Sequence, residues 1–125
     1  MGYLGIIVGG NNILVRNNII NNVTLVKSDG GAIYVSGVTN QEQSNRIIEY
    51  NIISNAIGNK DGTTALYNEG HGIYPDGYAN NVIIRNNTIF NSAWAGIFLG
   101  LHSHDIEVTN NTLYDNYTNI YNNTD

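Results

Sequence analysis

The ionisable side chains best suited to chemistry lie around residue 71. The segment AIGNKDGTTALYNEGH, residues 56–71, leads into HGIYPDGYANN, residues 71–81, and together they hold the densest cluster of ionisable groups in the chain. Histidine and tyrosine can accept or donate a proton, and two carboxylates can act as a general acid and base. The candidates for catalytic residues are Glu69, His71, Tyr74 and Asp76.

Other polar residues have simpler explanations. Lys60 and Asp61 stand in NKDGTT, which is typical of a plain turn. GLHSHD, residues 100–105, offers two alternating histidines and an acid, a weak metal pattern that more often marks a solvated loop. Trp94, in NSAWAG, is expected to pack over a turn. The sequence therefore predicts no metal site from ligand spacing alone.

The composition excludes several classes of protein. The 125 residues carry a net charge of −5 with only five scattered basic residues, which argues against a nucleic-acid partner. Without cysteine there is no disulfide and no thiolate metal site, and no apolar run approaches the roughly 18 residues of a membrane helix. Asparagine occurs 23 times and predicts many turns, because it tolerates left-handed backbone.

Internal repetition is the strongest feature of the sequence. A long element begins at residues 12, 45, 81 and 105, as NILVRNNIINN, NRIIEYNIISN, NVIIRNNTIFN and DIEVTNNTLYD. A short element precedes each copy, as GIIV, AIYV, GIYP and GIFL, and a fifth, NIYN, begins at residue 119. The long elements start 33, 36 and 24 residues apart, so 24 is taken as the bare repeat and the excess as loop insertions.

The apolar residues within these elements alternate with period two. Short β-branched strands broken by turns, at this repeat length, predict a parallel β-solenoid with three strands per coil and coils about 4.8 Å apart. The residues expected to point inward are Ile6, Ile13, Val15, Ile20, Ile33, Ile48, Ile53, Ile73, Val82, Ile84, Ile89, Ile97, Ile106, Val108, Leu113 and Ile120.

Two rows of polar residues occupy equivalent turn positions. In a solenoid each row would lie in file along the axis, where side-chain amides can bond to one another and to turn backbone. The alternative is that they are simply common turn residues. The two rows are Asn18, Asn51, Asn87 and Asn111, and Asn12, Asn45, Asn81 and Asp105.

These motifs resemble a known family. GIY followed by NNVIIRNNTIFN, and GIF followed by HDIEVTNNTLYDN, resemble the right-handed parallel β-helix repeats of the pectin-lyase-like fold over about residues 5–123. The resemblance implies an all-β, three-sheet solenoid of about 4–5 coils with an asparagine ladder, as one domain over residues 1–125. Family members are mostly secreted polysaccharide lyases, hydrolases and uronan epimerases, together with tailspikes and surface proteins. The resemblance therefore implies a protein that processes or binds a polysaccharide, with lyase- or epimerase-like action on acidic glycans as one form of that activity. A polysaccharide partner, no membrane partner and an extracellular or cell-surface location are expected.

The short strands are expected to present an aromatic row to solvent, beside a second outward row at positions 5, 32, 72, 96 and 119, which is small except for Asn119 and would form a floor. Such a trough offers stacking faces to sugar rings, and the resemblance implies a cleft on this same sheet. The alternative is an aromatic stack that only stabilises the sheet. The row is Ile7, Tyr34, Tyr74, Phe98 and Tyr121, and the residues predicted to contact substrate are Tyr34, Tyr74, Tyr78, Arg85, Phe98 and His102.

Several activities remain open on these residues. A lyase or epimerase needs a base, for which the available residues are His71, Lys60, Tyr74 and Arg85. It often also needs calcium or another cation to stabilise the enediolate, and carboxylates at positions 61, 69 and 76 are suitable calcium ligands. A hydrolase would need two carboxylates, such as those at positions 69 and 76. The family's catalytic motifs are absent, and YPDG only echoes the aspartate-proline-histidine-aspartate motif of alginate epimerases. The alternative function is a non-catalytic adhesin or tailspike-like scaffold.

Two departures from the repeat carry expectations of their own. Arg46 stands where the other copies have an apolar residue, so its coil is expected to be shifted or to lie near an opening, because a buried unpaired charge is costly. Neither end shows a capping helix. The chain is therefore expected to be a fragment of a longer β-helix, or to associate end to end with another copy.

Overall fold

The chain folds into 13 short β-strands. The structure is a computed structural model that describes residues 1–125, and it contains no helix with the length and hydropathy of a membrane span. The strands are β1 (Ile6–Val8), β2 (Ile13–Arg16), β3 (Ile19–Val23), β4 (Gly30–Val35), β5 (Arg46–Glu49), β6 (Ile52–Ala56), β7 (Gly70–Pro75), β8 (Asn80–Arg85), β9 (Thr88–Ser92), β10 (Ala95–Leu99), β11 (His104–Thr109), β12 (Thr112–Tyr114) and β13 (Thr118–Asn122).

Every third strand joins the same parallel sheet, as the repeat predicts. The first sheet has the order β1-β4-β7-β10-β13, the second β11-β8-β5-β2 and the third β12-β9-β6-β3. Equivalent residues of successive copies pair directly, for example Ile33 with Ile73 and Ile73 with Ile97. The three-sheet solenoid is therefore confirmed. Within each sheet, the strands lie in the order in which the repeat copies follow one another along the chain.

The interior is a single column of aliphatic side chains. Ile33, Ile73 and Ile97 from the first sheet are fully buried and belong to a cluster of 16 buried apolar residues drawn from all three sheets. In the terminal coils the same positions are less covered, and Ile120 remains 49% exposed because only β10 pairs with its strand. Burial of these β-branched side chains is the main stabilising term of the coil stack.

The predicted asparagine ladder is confirmed. The Nδ2 atoms of Asn18, Asn51 and Asn87 donate to the Oδ1 atoms of Asn51, Asn87 and Asn111, at 2.9, 3.0 and 3.0 Å. Each Oδ1 also accepts from the backbone N–H of the preceding ladder residue, and each inner Nδ2 donates to backbone carbonyls. The ladder therefore satisfies turn backbone that would otherwise be buried without partners.

The second polar row is only partly a ladder. Asn45 Nδ2 donates to Asn12 Oδ1 at 2.9 Å, but Asn81 Nδ2 turns to a carboxylate oxygen of Glu42 at 3.0 Å. All four members of this row have left-handed backbone, with φ between 51° and 57°. Backbone geometry, more than side-chain stacking, therefore explains why asparagine and aspartate occupy it.

Of the two alternatives expected for Arg46, a shifted coil is contradicted, whereas the residue does line the cavity of about 240 Å³ over the second sheet. Its strand is not shifted, since Arg46 pairs in register with Ile13 and Val82, and the residue is fully buried. Nη1 donates to Ser36 O at 2.7 Å, and Nε and Nη2 both donate to Asn80 O. No carboxylate lies within ion-pair distance, and burial lowers the pKa of the guanidinium. Carbonyl acceptors at the turn between the first and second sheets thus hold this charge.

Candidate functional site

A cleft of about 300 Å³ lies on the outer face of the first sheet. It brings together three of the four predicted catalytic residues and the predicted contact residue Phe98. A second cavity of about 240 Å³, over β5, β8 and β11, contains none of the predicted site residues. The cleft is lined by Asp29, Glu69, His71, Tyr74, Trp94, Phe98, Tyr121 and Asn123.

The long insertion before β7 positions one carboxylate of the cleft. Glu69 ends this insertion, and its backbone N–H donates to Ser28 Oγ at 2.7 Å while its carbonyl accepts from Gly30 N at 3.2 Å. Asp29 lies between those two anchors, with left-handed backbone at φ 56°. Residues 40 positions apart in sequence are thus one coil apart in space, and two carboxylates flank the same edge of the first sheet.

The predicted aromatic row is continuous along the sheet. The ring centroids of Tyr34 and Tyr74 are 5.4 Å apart, those of Tyr74 and Phe98 4.7 Å, and those of Phe98 and Tyr121 5.3 Å. His71 stacks on Phe98 with centroids 4.6 Å apart and planes 15° from parallel. These contacts are within the range of favourable aromatic pairs, so the row stabilises the sheet, and three of its members, Tyr74, Phe98 and Tyr121, line the cleft.

Trp94 belongs to the cleft as well as to a turn. Its indole stacks on Tyr117 at 5.0 Å and meets Tyr121 edge to face at 6.2 Å. Tyr67, from the long insertion, packs against it at 5.5 Å. The packing role expected from the sequence is confirmed, but the same side chain also forms one wall of the cleft.

Two tyrosine hydroxyls donate hydrogen bonds to carboxylates. Tyr34 donates to Asp76 Oδ2 at 2.7 Å, and Tyr74 donates to Asp29 Oδ1 at 3.2 Å. Burial and these carboxylates raise the pKa of both tyrosines well above the ordinary value. Tyr74 therefore keeps its proton near neutral pH, and a tyrosine in that state is poorly suited to act as a general base.

His71 is buried and neutral. It is 2% exposed, and burial lowers its pKa to about 3, against a smaller opposing effect of Asp76. Its Nδ1 atom is buried without a hydrogen-bond partner. A histidine with so low a pKa is a weak base.

The floor of small residues is not where the alternation placed it. A Cβ at Gly72 would lie 2.4 Å from Ile89 Cγ2, so position 72 faces the interior and not the outer trough. Positions 71 and 31 lie beside the aromatic row instead. At position 71 the imidazole stacks on Phe98, and at position 31 a Cβ would lie 2.9 Å from Tyr74 Cβ. Two consecutive residues, Gly72 and Ile73, therefore face inward, and the floor prediction is wrong.

The other predicted contact residues lie apart from the cleft. Arg85 ends β8 on the second sheet, where it pairs with Glu49 Oε2 at 2.9 Å, so its assignment to the same site is wrong. Tyr78 and His102 stack on each other at 4.8 Å beyond the ends of β7 and β10 and do not line the cleft. Asp76, next to β7, reaches Tyr34 and not the lining.

The carboxylates suggested for calcium do not converge. Asp61, Glu69 and Asp76 do not form a group of ligand atoms within 4.8 Å of one another. Such a group does form from Glu42, His104 and Asp105, all exposed. Part of the HSHD segment thus approaches a carboxylate from two coils earlier in the chain, in keeping with a solvated loop.

Sequence reasoning missed Asp29 and Asn123. Asp29 stands in SDGG beside the start of β4, and Asn123 follows β13. Neither differs in type or spacing from the many turn residues of the chain. Only the stacking of coils shows that Asp29 shares an edge with Glu69.

The fold and the cleft define an all-β solenoid with an open, aromatic-lined groove on one sheet. The family model of the right handed beta helix region matches residues 1–125, and the chain belongs to this family. No curated protein and no solved structure matches it significantly.

The buried histidine makes a prediction about acid stability. Unfolded His71 binds a proton below its ordinary pKa of about 6.5, whereas folded His71 binds one only below about 3. Its contribution to stability is therefore complete above pH 6.5 and lost as the pH falls toward 3. Between pH 6.5 and 5 we expect wild type to lose about 2 kcal/mol more than His71→Phe, which keeps an aromatic ring on Phe98.

Urea unfolding at several pH values measures this difference. His102→Asn is the matched control, since His102 is exposed and its removal should leave the acid dependence of wild type unchanged. Parallel pH profiles for wild type and His71→Phe would show that His71 does not carry the effect.

Proposed function

We propose that this β-helix binds polysaccharide along the outer face of its first sheet. The observation that supports it is the continuous row of rings from Tyr34 to Tyr121, which borders a 300 Å³ cleft with carboxylates at its edge. Sugars present apolar ring faces and peripheral hydroxyls, and the cleft offers aromatic side chains beside hydrogen-bonding groups. An extended groove of this kind, in a secreted or surface protein, fits a chain polymer better than a small metabolite.

Binding is favoured over processing by the state of the candidate catalytic groups. His71 is a weak base, Tyr74 retains its proton on Asp29, and no lysine or arginine lines the cleft. Proton abstraction beside a uronate carboxylate needs a competent base and a cation to stabilise the enediolate. The polymer is therefore held in the cleft without being cleaved or epimerised.

Retention on immobilised glycans tests the proposal. Tyr121→Ala, at a residue 40% exposed in the cleft, is expected to weaken binding about five- to tenfold, because a lost ring contact costs roughly 1 kcal/mol. Tyr114→Ala is the matched control, since Tyr114 is 44% exposed and stacks on Phe90 on the third sheet. It should bind as wild type does.

Two outcomes would contradict the proposal. Failure to retain any of a panel of acidic, neutral and amino glycans leaves the non-catalytic scaffold as the function. Release of unsaturated products or new reducing ends, with or without calcium, would show that the cleft processes its polymer.

A further inference from the structure

The carboxylates of the cleft have no cationic partner. Asp29 and Glu69 take part in no ion pair, and the Glu69 carboxylate has no hydrogen-bond donor. Burial and the neighbouring charge of Asp29 raise the pKa of Glu69, which indicates that the two acids repel each other at this edge. A positive charge placed between them would relieve that repulsion.

None of the protein's five basic residues lines the cleft. Arg16 and Arg85 approach Glu49 on the second sheet, and Arg46 is bound to carbonyls in the interior. Lys60 donates to Leu66 O within the long insertion, and the Nζ of Lys27 lies 4.8 Å from the ring centroid of Tyr3. An anionic ligand would thus meet two carboxylates and no compensating cation.

The aromatic side chains that line the cleft also favour a positively charged ligand. Trp94, Phe98 and Tyr121 line the same cleft as the carboxylates, and Tyr121 is 40% exposed. An accessible aromatic face attracts a cation electrostatically. Carboxylates without an ion-pair partner, beside aromatic side chains, together describe a site for a cation borne on a partly apolar ring.

We propose that the cleft selects a polysaccharide whose sugar units carry a protonated amine, such as a polymer of hexosamine with free amino groups. This inference rests on the proposed function and specifies its ligand: the amine lies between Asp29 and Glu69 while the sugar ring stacks on the aromatic wall. It replaces the acidic glycan that the family resemblance implied.

Calorimetric titration with three matched oligosaccharides tests the inference at a mildly acidic pH at which the amine is protonated. The probes are oligomers of glucosamine, of N-acetylglucosamine and of galacturonate, of equal length. The glucosamine oligomer is expected to bind at least about tenfold more tightly than the acetylated one, which has the same ring without the charge. Added salt should reduce this preference, because it screens partly exposed charges.

Two substitutions locate the selectivity. Glu69→Gln and Asp29→Asn keep side-chain size and should each remove most of the preference for the free amine, measured as the ratio of the affinities of the two oligomers for the same variant. Asp61→Asn is the control, because Asp61 is an exposed acid of the long insertion that does not line the cleft. It should leave the preference intact.

The outcomes separate the two proposals. Equal binding of the amino and acetylated oligomers, or preference for galacturonate, would overturn the inference and leave polysaccharide binding standing. Loss of the preference in Asp61→Asn as large as in Glu69→Gln would also overturn it, since the effect would then be one of net charge. Absence of binding to all three oligomers, and to a wider panel, would overturn both.

Discussion

Asn51→Ala is expected to lower the free energy of unfolding by about 4 kcal/mol, because it removes several buried hydrogen bonds at once. The Asn51 side chain is 1% exposed, accepts from both nitrogens of Asn18, and donates to Val15 O, Glu49 O and Asn87 Oδ1. Alanine satisfies none of these groups, and each buried group left without a partner costs roughly 1–3 kcal/mol. The cost should exceed that of an ordinary surface change by several-fold.

Denaturant unfolding followed by far-ultraviolet circular dichroism measures the effect. Asn122→Ala is the matched control, since Asn122 is exposed and its side chain makes no hydrogen bond. It should change stability by less than about 0.5 kcal/mol. If Asn51→Ala were no more destabilised than this control, the ladder would be an accident of composition and not a source of stability.

The register of the fold could be predicted from the sequence because the repeat itself encodes it. Once the copies beginning at residues 12, 45, 81 and 105 are aligned, each equivalent position predicts one contact in the next coil. The pairing of Ile13 with Arg46 and of Arg46 with Val82 follows this alignment even though the residue types differ. In a solenoid, sequence alignment between copies is also spatial alignment.

The orientation of side chains within a strand was harder to predict. Strict alternation places position 72 on the outer face, because its neighbour Ile73 faces inward. In the structure both positions face the interior, and position 72 faces Ile89. Only a residue without a side chain fits, because Gly96 O lies 2.5 Å from the place of a Cβ at position 72. The period-two rule holds along straight strands and fails near the corners of a coil, and the error moved the expected floor of the trough.

The sequence predicted several residues of the candidate site but not the excess of carboxylates in the cleft. His71, Tyr74 and Phe98 lie on strands whose register the repeat determines, so their proximity follows from the alignment. Asp29 reaches the cleft through a turn that the repeat does not share, and Arg85 lies on another sheet. The predicted site therefore contained Arg85, which the cleft lacks, and lacked Asp29, which lines the cleft.

The interior charge at position 46 provides the second large expected effect. Arg46→Ala should lower the free energy of unfolding by about 4 kcal/mol, because it opens a cavity in the core and leaves Ser36 O and Asn80 O without their donors. Arg46→Met fills most of the aliphatic space and removes a charge that is costly to bury, so its loss should be clearly smaller. The difference between the two variants separates packing from hydrogen bonding.

The same unfolding measurement with Arg16→Ala provides the control. Arg16 is half exposed and 3.9 Å from Glu49, so its removal should cost less than about 1 kcal/mol. Equal stability of Arg46→Ala and wild type would mean that burying the guanidinium costs as much as its carbonyl bonds and packing contribute. A large loss, by contrast, would show that one arginine closes the turn between the first two sheets at a position where every sister coil uses an aliphatic residue.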